Sequence, residues 1–80
     1  MLKQVRPCAC CGYLTVLEEY DICPVCFWEA DDVQERDPTF KGGANGMSLL
    51  QAQESFRTIR ASSPRWLGHV RAPLPHETPT

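Results

Sequence analysis

Cys8-Ala9-Cys10-Cys11 and Cys23-Pro24-Val25-Cys26, with eleven residues between Cys11 and Cys23, decide how this chain is read. Two Cys-x2-Cys pairs on a short spacer form a typical four-cysteine zinc arrangement. A two-residue gap lets one tight turn aim two sulfurs at a common point about 2.3 Å away. Gly12, after Cys11, suits a turn in which φ is positive and backbone amides approach the sulfurs. Pro24 stiffens the second turn. The expected metal ligands are therefore Cys8, Cys11, Cys23 and Cys26, holding Zn2+, with Fe as the alternative. Cys10 is the leftover thiol, because adjacent cysteines do not easily reach one metal from one turn. It reads as a small apolar filler, with a redox-sensitive thiol as the other possibility.

The rest of the composition makes such a staple necessary. The chain has 80 residues, room for one domain. Leu, Ile, Val and Phe make up only 17 of them, a thin core that seldom leaves more than about 3–5 kcal/mol of net stability. A four-cysteine zinc site contributes on the order of 10–16 kcal/mol, so the metal outweighs the core. Residues 1–7 lack the apolar stretch of a signal peptide, and no apolar run is long enough for a membrane helix. The expectation is a cytoplasmic chain, where thiols stay reduced and free to take metal.

The net charge of −2 is unevenly spread. Residues 1–40 carry −5 and residues 41–80 carry +3. Four thiolates on a divalent ion make the first half more negative still. Nucleic acid is thus a poor main partner, since phosphate binding needs a basic footprint. The polarity reads either as two halves that attract each other or as a charged surface for a partner.

Outward from the cysteines, residues 1–6 read as a short strand with Leu2 and Val5 apolar, and Tyr13–Leu17 as a second. Residues 29–47 are acidic and aperiodic and read as a surface loop, with Phe40 as its anchor. Their carboxylates, Asp31, Asp32, Glu35 and Asp37, lack the register and central glycine of a calcium loop. Gly42-Gly43-Ala44-Asn45-Gly46 breaks the chain. It reads as a tight connection with Asn45 bonding locally, or as an anion site at a helix N-terminus. Ser48 and Gln51 fit a capping box. Leu49, Ala52, Phe56 and Ile59 then share one face of a helix over about 49–61, stopped by Ser62-Ser63-Pro64. Trp66, Leu67 and Val70 form an apolar return, and residues 73–80 read as an extended proline-containing tail. Trp28, Phe40, Phe56 and Trp66 are the expected aromatic core.

Cys8-Ala9-Cys10-Cys11-Gly12-Tyr13 and Ile22-Cys23-Pro24-Val25-Cys26-Phe27-Trp28-Glu29 resemble the small bacterial cysteine-rich CPCC family. So do Asp37-Pro38, Gly42-Gly43-Ala44-Asn45, Ser48-Leu49, Ala52 and Val70-Arg71-Ala72-Pro73-Leu74-Pro75. The resemblance spans roughly residues 6–77. Ala9 stands where the family's name implies proline, which affects turn stiffness and not ligand identity. The resemblance implies the fold and the metal site, and brings no activity with it.

The fold class expected is small α+β and metal-stabilised. A zinc-ribbon or rubredoxin-like β-element with two cysteine knuckles within 7–28 carries one packed C-terminal helix, in a single domain over residues 1–72. Four protein ligands leave no open coordination position, the pattern of structural rather than catalytic zinc. The function expected is that of a non-enzymatic zinc-binding protein whose partner is another protein, of a regulatory, immunity or antitoxin type. The rival is rubredoxin-like electron transfer on iron. Phe27, at the place where glycine usually follows the second pair, weighs towards zinc.

Overall fold

Leu14-Thr15-Val16 holds a strand, and the turn at Cys8–Gly12 brings Arg6–Pro7 back beside it. The computed structural model describes residues 4–79. In it β1 (Arg6–Pro7) pairs antiparallel with β2 (Leu14–Val16). The register joins Arg6 to Val16 and Pro7 to Leu14, so Thr15 is one residue in excess on β2. Such a bulge re-aims the extra side chain. Proline is tolerated in β1 because both strands of a two-stranded sheet are edges. Leu2 of the expected first strand lies outside the described residues.

The acidic segment 29–47 is not simply a loop. It contains a helix, α1 (Asp32–Arg36). Asp31 caps it, its Oδ1 accepting from the amides of Val33 at 2.9 Å and Gln34 at 3.2 Å. Its Oδ2 accepts from the Ala44 amide at 2.8 Å. These bonds, Ala44's foremost, hold the Asp31 carboxyl below its usual pKa. Gln34 is fully buried. Its Nε2 donates to the carbonyls of Phe40, Asn45 and Met47, and its Oε1 accepts from the Asn45 amide and from Asn45 Nδ2. Burying a polar group without partners is costly, and Gln34 has partners on both ends.

Asn45 does not bond locally either. Its side-chain amide accepts from the Glu29 N–H at 2.9 Å and donates to the Glu29 carbonyl at 2.8 Å. It therefore acts as a single rung of sheet across 16 residues. The two amides that follow Gly43 are taken by Asp31 and Gln34, so the carboxylate seated on this loop is the chain's own. Gly43 is required by close approach: a Cβ there would lie 2.6 Å from Asp31 Oδ2 and 2.8 Å from Gln34 Cγ.

The second helix, α2 (Leu49–Ile59), begins on the expected capping box. Gln51 N–H donates to Ser48 Oγ at 3.2 Å, and Ser48 N–H donates to Gln51 Oε1 at 3.0 Å. Leu49, Ala52 and Phe56 are buried, and Ile59 is half-buried. The helix ends two residues before the expected position. Arg60 takes the left-handed conformation at φ 62° and donates its amide to the Phe56 carbonyl. This early stop frees the Ser62 amide to reach the Cys26 carbonyl at 2.8 Å. Proline is therefore not what ends the helix.

Residues 64–69 and 75–77 form 3-10 turns. The expected extended tail is instead folded back. Glu77 is buried, its carboxylate clasping the Arg71 guanidinium at 2.9 and 2.8 Å and accepting from the Leu74 amide. The Arg71 amide in turn reaches the Pro24 carbonyl at 3.2 Å. Thr80 lies outside the described residues.

Trp28 is fully buried and Phe56 nearly so, as expected of the core. Trp66 is only half-buried, and Phe40 is 41% exposed. Phe40 contributes its carbonyl, to Gln34, rather than its ring. The described ion pairs, Asp32–Arg36, Glu54–Arg57 and Arg71–Glu77, each lie within one half of the chain. No described helix is long and apolar enough to cross a membrane.

Candidate metal centre

The two cysteine turns are close copies of each other. In the first, the Gly12 amide donates to the Cys8 carbonyl at 2.8 Å and the Cys8 amide to the Tyr13 carbonyl at 2.8 Å. In the second, Phe27 donates to Cys23 at 2.8 Å and Cys23 to Trp28 at 2.9 Å. The residue after each pair has positive φ: 83° at Gly12 and 70° at Phe27. Glycine adopts that conformation without strain; a ring-bearing residue does not. The demand for positive φ thus comes from the knuckle geometry, and Phe27 meets it at a cost of about 1–2 kcal/mol.

The turns face each other, and the sulfurs of Cys8, Cys11, Cys23 and Cys26 all lie within 4.8 Å of one another. Cys8 and Cys26 sulfurs are 3.6 Å apart, and those of Cys11 and Cys23 are 3.7 Å apart. A tetrahedral site with 2.3 Å metal–sulfur bonds has sulfur–sulfur edges of about 3.8 Å. A disulfide would bring two sulfurs to about 2.05 Å, and the cysteines are free. The four are arranged to hold one metal ion.

The surroundings suit thiolates. Val25 N–H donates to Cys23 Sγ and Trp28 N–H to Cys26 Sγ, both at 3.4 Å. Thr15, the bulged residue of β2, donates its hydroxyl to Cys23 Sγ at 3.0 Å. Sequence reasoning missed Thr15, since nothing in a strand-like run marks a bulge. Without a cation, four sulfurs this close do not all ionise. Bonding to Cys11 raises the Cys8 thiol, bonding to Cys23 raises that of Cys11, and bonding to Cys10 raises that of Cys26, with burial adding to each. Cys23 is held low, by Cys11 first and Thr15 last. A divalent cation would let all four ionise, because metal ligation requires thiolates.

Cys10 is buried, 8% exposed, and packs in the same core without joining the group of four. Cys11 is the least buried of the four. Trp28 closes the back of the centre; its indole Nε1 donates to Glu35 Oε2 at 3.0 Å, which ties the knuckle to α1. Asp31 thus caps α1 and Glu35 connects it to the knuckle.

A comparison with curated proteins finds no match. The cysteine-rich CPCC model matches residues 6–77, a span that holds both knuckles, α1, α2 and the folded-back end, and the chain belongs to that family.

Proposed function

We propose that this chain is a small non-enzymatic zinc protein, whose four-cysteine site is structural and whose outer surface binds another protein. The observation that carries the reading is the closed donor set: four sulfurs within 4.8 Å, all from the chain itself. Four protein ligands leave no position for a substrate, the mark of structural zinc. The paired knuckles on a short sheet support a zinc-ribbon or rubredoxin-like description of the fold.

Iron electron transfer is the second reading, favoured by the N–H···S bonds to Cys23 and Cys26 and by the half-buried Cys11. Hydrogen bonds to sulfur and solvent exposure both tune iron–sulfur potentials. Native mass spectrometry of protein grown with both metals separates the two. One zinc per chain and no colour supports the proposal. A red protein that bleaches on reduction overturns it in favour of iron. Affinity capture from the native host under metal-replete conditions tests the interaction: a specific protein partner is expected, and none would count against it.

A further inference from the structure

Residues 41–80 carry an excess of three positive charges. Arg57 pairs with Glu54 and Arg71 with Glu77. Arg60 lies 4.2 Å over the Phe56 ring and reaches the Tyr13 hydroxyl. Lys41 and Arg65 have no carboxylate partner among the described residues. Both line the same groove, a cavity of about 590 Å³, within the range of sites that bury a small ligand or a short peptide stretch.

The groove runs along the outer edge of the Asn45 network and the start of α2, beside Phe27 and Trp66. Phe27 is half-buried, held at positive φ, and its ring stacks on Trp66 at 4.7 Å and on His69 at 5.1 Å. The Arg65 guanidinium lies 4.6 Å over the Trp66 ring, which fixes a cation beside the aromatic wall. Ile22, 47% exposed, and Met47 extend the apolar lining. Glu29 is the one carboxylate in the wall, against two cations. A second cavity, near Val25 and Val70, offers fewer unpaired cations: Arg71 is held by Glu77, which leaves Arg60, lying over Phe56 as Arg65 lies over Trp66.

We infer that this groove binds a short acidic segment of another protein. A large apolar side chain of that segment rests on Phe27 and Trp66, and a neighbouring carboxylate pairs with Lys41 and Arg65. The inference rests on the reading of the chain as a protein-binding module and names the chemistry of the partner. A nucleic acid fits less well, because Glu29 sits in the wall and phosphate binding needs a broader basic surface.

The test uses the metal-loaded, 15N-labelled full chain, titrated with the probe acetyl-Asp-Leu-Asp-Leu-Asp-amide and with its Lys-for-Asp counterpart. The acidic probe should shift the amides of Phe27 and Met47 and the Trp66 indole, and leave the buried Trp28 indole unmoved. Charge reversal in the K41E/R65E double variant should weaken binding at least tenfold and turn the preference towards the basic probe. Equal binding of both probes, or no shift at millimolar acidic probe, would overturn the inference. Shifts confined to another face would overturn the groove and leave the protein-binding reading standing. A dodecameric thymidine oligonucleotide that moves the same residues at lower concentration would also overturn it. Mass spectrometry of the same sample reads the metal separately, so failure of the groove and failure of the zinc reading are distinguishable.

Discussion

In the two knuckles, at residues 8–13 and 23–28, the chain turns on main-chain hydrogen bonds that span four or five residues, and four sulfurs converge. Between Glu29 and Met47 main-chain bonds of that span are confined to α1 and its caps. Side chains of Asp31, Gln34 and Asn45 reach across 11 to 16 residues to satisfy backbone groups. The first region is ordered by a donor set that needs a cation. The second is ordered by neutral and charge-assisted hydrogen bonds that need none. Trp28 belongs to both: its amide approaches Cys26 Sγ, and its indole bonds Glu35. A chain with few apolar residues thus has two ways to hold a loop, and this one uses each once.

The comparison breaks most severely at the sulfurs. Cys23→Ser removes a ligand that accepts bonds from Thr15 and Val25. It should forfeit much of the roughly 10–16 kcal/mol that a structural metal contributes and leave the chain unfolded by circular dichroism. A folded variant that still binds one metal would show that Cys23 is not a ligand. Trp28→Ala opens a cavity where the two regions meet. Denaturant unfolding of the metal-loaded protein should show a loss of about 3–5 kcal/mol, and a loss below about 1 kcal/mol would place Trp28 on the surface.

The second region is tested without touching a sulfur. Gln34→Ala leaves three carbonyls and two N–H groups of residues 40–47 without their partner. It should cost about 2–3 kcal/mol with metal stoichiometry unchanged. Loss of the metal along with it would show that the two regions are one. Gly43→Ala forces a methyl against Asp31 and Gln34. It should cost about 1–3 kcal/mol by the same measurement, and an unchanged midpoint would contradict the close approach.

The smallest effect is at the folded-back end. The Arg71 guanidinium, with the Leu74 amide, pulls the Glu77 carboxyl down to about 2 from its usual 4.5. The sign follows: this contribution is present in full above about pH 4.5 and is lost as pH falls towards 2. Down to pH 4 the Glu77 carboxyl resonance should not move. A midpoint near 4.5 would show that the ion pair does not form in solution.

The same contrast explains what could be read from the amino acids alone. The knuckles, the capping box at Ser48 and Gln51, and the buried face Leu49, Ala52 and Phe56 all depend on neighbours a few residues away. Their spacing is their signal. Helix α1 is five residues long, too short for periodicity, and stands on Asp31 and Gln34, which reach to Ala44, Asn45 and Met47, ten or more residues on. Asn45 looks like a local turn former and acts as a remote sheet rung. Thr15 points at Cys23 only because β2 carries a bulge. Phe27 does the work of a glycine, which no residue preference suggests. Glu77 looked like tail because its partner, Arg71, faces it only once two 3-10 turns have folded.

One metal ion in the four-sulfur site is proposed to hold the two knuckles together. Thermal melts followed by circular dichroism, with and without a strong chelator, test it most directly. The metal-loaded chain should melt cooperatively, and the chelated chain should lose its transition, with at least residues 8–28 unfolded. An unchanged melt in protein shown by mass spectrometry to be metal-free would contradict it.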